Sequence, residues 1–385
     1  MALDASAAAP VRGLVGHTGR CFDCDVRDDD AGGALAATAS EDGTARVWEL
    51  ASGACCAVLE GQKDEVLRVA WAPRLVEEAA GAPLLATAGA DGAVRLWRGA
   101  AWAAPDSRVA ETPAPRLVHA LAHASGEQVY GCAWTSGDED GAWLVTAAGD
   151  EACVWDVGAG AVVRSWRYAD AAAARGRKRR ALAGGAKPRD DDTAPCIFDV
   201  KPAGALVACA LSDGTVRVSD VRAPEPATRL ESPGTLRLTA ISWRHDGLAA
   251  CAGDGSISIW DARTWTERLR LRGAHSGPAY GCAWRPREAG EAEPLLSWSS
   301  DGVLAWWDAA LPDAAPGAAP TMRVPTSITE APAPDFSIFH CAFDSAGDVM
   351  VCVGGSGAES TDVNAYVYDV SAARNTMTKA WSSRA

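Results

Sequence analysis

The sequence predicts an all-β protein: a seven-bladed β-propeller of four-stranded antiparallel blades, closed by an N-terminal strand. The first observation is a turn carrying Asp that recurs seven times. In most copies it is followed six residues later by an aromatic residue that ends a short strand. The second is that each repeat holds up to four strand-like runs between Gly, Pro or charged turns. The pairs of turn and closing residues are Asp42 and Trp48, Asp91 and Trp97, Asp150 and Trp155, Asp213 and Ser219, Asp254 and Trp260, Asp301 and Trp307, and Asp362 and Tyr368.

The strands of one repeat follow a fixed order, which is clearest in the second copy. Val66–Trp71 ends in an aromatic residue, and Leu84–Gly89 consists of small and β-branched residues. After the Asp turn, residues 93–97 alternate apolar with polar side chains, as a half-buried strand does. A fourth strand follows where the spacing allows, as at Cys55–Leu59 in the first copy.

The ring of blades is predicted to be one domain over residues 11–381. Residues 11–15 are expected to supply the outer strand of the last blade, and residues 376–381 are the alternative. Either closure removes the exposed sheet edges that an open ring would leave.

Composition excludes several classes of function. The net charge of −14 argues against direct nucleic-acid binding, which needs a basic face. The 12 cysteines are scattered through apolar runs, which is typical of reduced, buried thiols in the cytosol or nucleus. We find neither the basic start of a secretory signal nor a stretch apolar enough to span a membrane. The expected location is therefore cytoplasmic, nuclear or both, with no membrane partner.

Three repeats carry a His, a Ser or Thr, an Asp and a Trp in the same order, and through them the sequence resembles the WD-repeat family. The resemblance covers roughly residues 11–381. It implies that these side chains form buried hydrogen-bonded sets, since a buried indole, imidazole or carboxylate needs a partner. The sets are His17, Thr38, Asp42 and Trp48 in blade 1; His123, Thr146, Asp150 and Trp155 in blade 3; and His275, Ser297, Asp301 and Trp307 in blade 6. Blades 2, 4, 5 and 7 lack the His and are expected to depend more on packing.

No group of residues in the sequence indicates catalysis. His and Asp occur together only at positions that the fold uses, and no nucleophile elbow, P-loop, zinc-protease or dinucleotide motif occurs in a fitting context. Cys21 and Cys24 form a lone C-x-x-C pair, which is a weak zinc or redox signal. We predict no catalytic residue, no metal and no cofactor. A hydrolase built on a propeller is the alternative within the enzyme class.

The first strand of each blade is expected to line the central channel. Counting back four residues from the end of each strand gives Phe22, Leu67, Tyr130, Cys196, Thr239, Tyr280 and Phe339. Four of these seven are aromatic in a chain that is only 7% aromatic. The resemblance implies a peptide-binding mouth there, where rings can hold Arg or Lys by cation–π attraction. We predict Phe22, Leu67, Tyr130, Tyr280 and Phe339 as partner-binding residues; the alternative is that the rings pack between blades.

Two adjacent blades end their third strand in a similar way. Asp220 and Arg222 follow one strand, and Asp261 and Arg263 follow the next. This resembles the box of WD-repeat substrate receptors that dock on the triple-propeller adaptor of cullin-RING ubiquitin ligases. In that family the Arg projects toward the adaptor, where it can make charge-assisted hydrogen bonds. The alternative is that each Asp pairs with its Arg within the blade.

The segment 168–195 separates blades 3 and 4 and is rich in Ala, Gly and charged residues. It has too few aromatic residues to pack and is predicted to be disordered. It contains a basic run that resembles a short nuclear-import signal, and the alternative is a solvated loop. The residues of this run are Arg175, Arg177, Lys178, Arg179 and Arg180.

These observations predict a non-enzymatic scaffold for protein–protein interaction. The propeller is expected to be monomeric and to present one face to a peptide or protein partner within a larger complex. A substrate receptor of a cullin-RING ubiquitin ligase is the alternative.

Overall fold

The computed structural model has the predicted architecture of seven blades. It describes residues 11–28, 33–74, 82–99, 102, 114–135, 143–168, 195–224, 226–231, 237–286, 294–309, 321–323, 327–330, 336–356 and 363–371. Within these ranges the chain forms 29 strands in seven sheets. No helix in the described ranges is long and apolar enough to cross a membrane.

The first three blades each consist of four consecutive antiparallel strands. Blade 1 contains β2 (Cys21–Asp28), β3 (Ala34–Ser40), β4 (Ala45–Glu49) and β5 (Cys55–Leu59). Blade 2 contains β6 (Val66–Trp71), β7 (Leu84–Gly89), β8 (Ala93–Arg98) and β9 (Arg116–Ala122). Blade 3 contains β10 (Val129–Trp134), β11 (Leu144–Ala148), β12 (Glu151–Asp156) and β13 (Ala161–Arg167).

The remaining blades repeat this pattern, with one addition. Blade 4 contains β14 (Ile197–Ala203), β15 (Leu206–Leu211), β16 (Thr215–Asp220) and β17 (Pro226–Glu231). Blade 5 contains β18 (Leu238–Arg244), β19 (Gly247–Ala252), β20 (Ile257–Asp261) and β21 (Glu267–Leu271), and β25 (Thr321–Arg323) adds a fifth strand parallel to β21. Blade 6 contains β22 (Ala279–Trp284), β23 (Leu295–Ser299), β24 (Val303–Trp307) and β26 (Ser327–Glu330).

Blade 7 closes the ring with a strand from the N-terminal end of the described chain. It contains β27 (Phe336–Phe343), β28 (Val349–Ser356) and β29 (Val363–Asp369), and β1 (Arg12–Val15) pairs antiparallel with β29. The predicted N-terminal closure is therefore confirmed. The innermost strands also contact each other in the order β2, β6, β10, β14, β18, β22 and β27, and β27 contacts β2.

The core lies between the blades. Seven hydrophobic clusters each join two neighbouring blades, and the cluster between blades 7 and 1 contains Leu14 of the closing strand. Trp102, from the insertion after β8, adds to the cluster between blades 1 and 2, with its ring 5.3 Å from that of Trp71. The blade faces therefore bury the apolar side chains, and the polar turns and the channel remain to carry function.

Candidate functional site

All seven innermost strands contain a β-bulge at the same place in their pairing with the second strand. A bulge inserts one residue and redirects its side chain out of the regular alternation. The seven bulged residues are Phe22, Leu67, Tyr130, Phe198, Thr239, Tyr280 and Phe339. All are partly exposed except Leu67, of which 9% is exposed. We call this set of seven bulged residues on the innermost strands the mouth.

Blade 4 differs from the sequence prediction at the mouth. The bulged residue is Phe198, whereas counting from the sequence gave Cys196. The count started at Val200. However, β14 pairs with β15 as far as Ala203, so Pro202 is the residue equivalent to the strand end from which the count starts in the other blades. Five of the seven mouth positions are therefore aromatic.

The mouth rings contact each other across blade boundaries. The ring centroid of Phe339 lies 5.8 Å from that of Phe22 and 5.5 Å from that of Tyr280, which joins blades 6, 7 and 1. On another part of the ring, Tyr130 and Phe198 meet edge to face at 5.8 Å. The sequence prediction placed the first three residues on consecutive blades, and the structure brings them into one cluster.

Charged side chains surround the mouth on blades 1 and 2. The Arg20 guanidinium lies 5.9 Å from the centroid of the Phe22 ring, and it donates to both carboxylate oxygens of Glu41 at 3.0 and 2.9 Å. Burial raises the pKa of Glu65, and repulsion from Glu41 and Asp64 adds to the shift. Three carboxylates therefore lie near one another on this side of the mouth, accompanied by one guanidinium.

Next to the mouth residues, charged groups of the innermost strands form a network. Asp23 accepts a hydrogen bond from the backbone N–H of Val69 at 2.9 Å, which links blades 1 and 2. Its other carboxylate oxygen lies 3.1 Å from Nδ1 of His340 and 3.6 Å from the guanidinium of Arg68. Arg68 also donates to the carbonyl oxygen of Tyr130 at 2.6 Å. These contacts connect blades 7, 1, 2 and 3 and hold the mouth residues in place.

Asp25, on the same strand as Asp23, is expected to make stability depend on pH. Burial raises its pKa from 3.8 to about 6, although its Oδ2 accepts a hydrogen bond from the Trp71 N–H at 2.8 Å. The folded state therefore binds this proton more tightly than the unfolded chain, and the stability contributed by Asp25 falls as pH rises from about 4 to about 6. We expect Asp25→Asn to gain about 1–2 kcal/mol in free energy of unfolding relative to wild type between pH 4 and pH 7, because Asp25 is partly exposed and solvent screens part of the effect.

Urea unfolding of both proteins at the two pH values measures this difference. His340 acts in the opposite direction, because burial lowers its pKa from 6.5 to about 4 and its contribution to stability therefore rises with pH. Since both proteins contain His340, subtraction isolates Asp25. A difference that stays constant or shrinks as pH rises would show that the Asp25 carboxyl is not held protonated by the fold.

Blade 1 contains the complete hydrogen-bonded set. Nδ1 of His17 lies 2.8 Å from Oδ2 of Asp42, and Nε2 lies 2.8 Å from Oγ1 of Thr38. The Trp48 indole donates to the same Thr38 hydroxyl at 2.8 Å. Burial alone would raise the pKa of Asp42, but hydrogen bonds from His17 and Thr44 lower it instead. The carboxylate is thus held charged beneath the turn.

Blade 6 contains a looser version of this set. Ser297 Oγ lies 2.7 Å from Nε2 of His275 and accepts from the Trp307 indole at 2.9 Å. Asp301 lies 3.6 Å from Nδ1 of His275, and its Oδ2 accepts from the Ser276 N–H at 2.7 Å.

Blade 3 departs from the predicted set. His123 and Trp155 both contact Thr146 Oγ1, at 2.6 and 2.7 Å. Among the described contacts, however, none joins Asp150 to His123, whose Nδ1 instead lies 3.8 Å from Cys153 Sγ. The turn between β11 and β12 is one residue shorter than in blade 1, so Asp150 does not reach the imidazole.

Two residues that the sequence analysis missed replace the His in other blades. Gln62 Nε2 donates to Thr87 Oγ1 at 3.0 Å, and the Trp97 indole donates to the same hydroxyl at 3.0 Å. The signal was present, because Gln62 follows Gly61 as His17 follows Gly16. In blade 4, Tyr168 fills this place, and its hydroxyl lies 3.0 Å from Ser219 Oγ.

The two Asp and Arg pairs lie at the ends of β16 and β20. Arg222 donates to both oxygens of Asp220, at 2.9 and 2.6 Å, and its side chain is 71% exposed. The Arg263 side chain is 82% exposed and lies 3.9 Å from Asp261, whose carboxylate also accepts from the Arg263 N–H at 2.9 Å. Both guanidinium groups are thus exposed on adjacent blades. The basic run 175–180 and the alternative closing segment 376–381 lie outside the described residues.

Comparison with known proteins agrees with this geometry. A family model described as "WD domain, G-beta repeat" matches residues 8–49 and 53–98. No curated protein matches the chain. The first match ends with β4 and the second with β8, so each includes the outer strand of one blade and three strands of the next. The closed ring of seven blades is the fold expected from this similarity to WD-repeat proteins.

Proposed function

We propose that this protein is a non-enzymatic scaffold whose mouth binds an exposed Arg- or Lys-bearing segment of a partner protein. WD-repeat propellers typically serve as interaction scaffolds, and the mouth indicates the chemistry of the ligand. The observation that carries the proposal is the ring of aromatic residues at five of seven equivalent positions, with carboxylates beside it. Partly exposed aromatic rings supply rigid contact area at low entropic cost and attract cations through their faces.

Arg20 supports the choice of a basic ligand. Its guanidinium already lies over Phe22 and is paired with Glu41, which is the arrangement that an incoming Arg would need. The Arg20 side chain is 44% exposed, so its ion pair with Glu41 is weak. An incoming Arg can therefore replace Arg20 at Glu41. Glu65 and Asp64 add negative charge on the same side.

The experiment is a peptide-binding measurement with Phe339→Ala. Wild-type protein is screened against arrayed Arg- and Lys-containing peptides and the same peptides with Gln at the basic positions. We expect a preference for the basic set, and a loss of about 2 kcal/mol, or roughly 30-fold in affinity, with Phe339→Ala. Thr239→Val is the matched control, since Thr239 is the bulged residue of blade 5 and has no aromatic ring.

Melting temperature separates binding from packing. If the rings only pack between blades, Phe339→Ala will lower the melting temperature strongly while the folded fraction binds as wild type does. That result, or equal binding of basic and Gln-substituted peptides, would overturn the proposal. Affinity purification from cells then identifies the natural partner.

A substrate receptor of a cullin-RING ubiquitin ligase is the second candidate, favoured by the exposure of Arg222 and Arg263 on adjacent blades. The same affinity purification distinguishes it. Recovery of the triple-propeller adaptor with wild type, and its loss with Arg263→Glu, would support docking; purification without the adaptor would argue against it. Nuclear entry through the basic run Arg175, Arg177, Lys178, Arg179 and Arg180 is proposed separately from either function.

A hydrolase is less well supported by the groups around His340. Cys24 Sγ lies 3.7 Å from Nδ1 of His340, which also contacts Asp23. Both contacts use the same ring nitrogen, whereas the His of a catalytic triad uses one nitrogen for the nucleophile and the other for the acid. In addition, burial raises the pKa of the Cys24 thiol well above its usual value, whereas a reactive cysteine needs a lowered pKa. The Cys24 thiol also donates to the carbonyl oxygen of Val351.

A further inference from the structure

Three potential metal ligands converge in blade 3, at the place where the hydrogen-bonded set is incomplete. His123, Glu151 and Cys153 each offer one ligand atom, and these atoms all lie within 4.8 Å of one another. The three residues are 4%, 8% and 4% exposed. We propose that they bind a zinc ion.

The turn between β11 and β12 and the pairing of these strands explain why His123, Glu151 and Cys153 meet. In blade 1 three residues separate Ser40 from Thr44, whereas in blade 3 only Gly149 and Asp150 separate Ala148 from Glu151. Glu151 therefore occupies the strand position of Thr44, whose hydroxyl lies 3.5 Å from Nδ1 of His17 in blade 1. The strand itself thus brings a carboxylate to the imidazole, in place of the Asp of the turn.

The second ligand arises from the pairing of the strands. Cys153 lies opposite Thr146 in the ladder, at the position where blades 1 and 2 have Arg46 and Arg95. A thiol at this position is short enough to point at the imidazole, and its Sγ lies 3.8 Å from Nδ1 of His123. In a tetrahedral zinc site with Zn–N and Zn–S bonds of about 2.1 and 2.3 Å, nitrogen and sulfur are roughly 3.6 Å apart. Only a small adjustment is therefore needed.

The imidazole is already oriented for metal binding. Nε2 of His123 lies 2.6 Å from Oγ1 of Thr146, which also accepts from the Trp155 indole. A ligating His commonly has its second nitrogen fixed by a hydrogen bond in this way, which directs the other nitrogen to the metal. In blade 1 the equivalent nitrogen is bonded to Asp42, so that blade offers no such ligand.

Charge and ligand type both favour zinc. A neutral imidazole, a thiolate and a carboxylate together carry two negative charges, which a divalent cation neutralises. Binding breaks the Cys153 S–H bond, forms a Zn–S bond and releases one proton to solvent. Sulfur and nitrogen ligands select zinc over magnesium or calcium, and three protein ligands leave the fourth position to a water or another small ligand. One oxygen of Glu151 pairs with Arg167 at 3.1 Å, and the carboxylate has a second oxygen for the metal.

The test measures zinc binding by the full chain with a competing chromophoric chelator, and cobalt(II) serves as a spectroscopic probe. We expect one zinc per chain at this site and a thiolate-to-cobalt absorption band. Cys153→Ala and His123→Gln should each lower zinc affinity by more than about 100-fold. That is the largest loss in affinity usually caused by changing a residue that only hydrogen-bonds to a metal ligand. His123→Gln should keep the fold, because Gln62 makes the same bond to Thr87 in blade 2.

His17→Gln is the matched control and should leave zinc affinity unchanged, because it changes the equivalent imidazole in blade 1, where Asp42 and not a thiol contacts Nδ1 in the described part of the chain. Zinc should raise the melting temperature of wild type but not of Cys153→Ala. If Cys153→Ala binds zinc as tightly as wild type, the ion lies at other cysteines and the proposal is wrong. Failure of wild type to bind zinc, or a cobalt complex without the thiolate band, overturns it equally. If His123→Gln does not fold, Cys153→Ala decides.

Discussion

A chain that begins at Gly16 is expected to lose its closed ring and to aggregate. The missing strand β1 pairs with β29, so the deletion exposes an unpaired strand edge on blade 7. It also removes Leu14, which is 2% exposed, from the cluster between blades 7 and 1. Size-exclusion chromatography and thermal unfolding measure the result: we expect oligomers or aggregates in place of a monomer, and a broadened transition at lower temperature.

A matched pair of substitutions in the same strand tests the mechanism. Leu14→Asp places an unpaired charge in the cluster and should lower the free energy of unfolding by about 3–5 kcal/mol. Val15 is 58% exposed, and Val15→Asp should change stability by about 0.5 kcal/mol or less. Similar losses for both variants, or a monomeric and stable truncated chain, would show that β1 does not close the ring.

The number of blades and their closure could be predicted because they depend on features that recur in the sequence. A turn with Asp occurs in all seven copies and an aromatic residue closes the strand in six of them, so a departure in one copy does not change the count of blades. The fifth strand of blade 5 could not be predicted in this way. It comes from residues 321–323, within the insertion of the next repeat, and pairs parallel to β21 without any repeat-related signal.

The candidate site was only partly predictable, for two physical reasons. The mouth position depends on a β-bulge, and the place of a bulge is set by strand pairing. In blade 4 the strand-end position is occupied by Pro202, which the sequence analysis did not recognise as a strand end, so Phe198 was overlooked. Contacts within a blade depend on turn length, and a turn one residue shorter removes Asp150 from His123. Glu151 and Cys153, at the strand positions of Thr44 and Arg46 in blade 1, lie beside the imidazole instead. Sequence spacing showed the shorter turn, but not which side chain would replace the Asp.

Tyr168 takes the place of two side chains of the hydrogen-bonded set, the His and the Trp. It directly follows β13, in the place where His123 follows β9, and it reaches Ser219, which occupies the position of the Trp in other blades. Its ring is 6% exposed and lies in the cluster between blades 3 and 4. The segment 169–194 hid this role, because Tyr168 is separated from the rest of blade 4 by a long insertion.

We expect Tyr168→Ala to lower the free energy of unfolding by about 3–5 kcal/mol, because it removes a buried aromatic ring and leaves a cavity. Tyr168→Phe keeps the ring and removes only the hydroxyl, so it should cost about 1 kcal/mol, as should Ser219→Ala. The double variant of Tyr168→Phe and Ser219→Ala should cost less than the sum of the two, since each single change already breaks the 3.0 Å contact. Chemical unfolding of the four proteins gives these values. A loss below about 1 kcal/mol for Tyr168→Ala would mean that blade 4 is held by its strands alone, and strict additivity in the double variant would mean that the two hydroxyls do not stabilise each other.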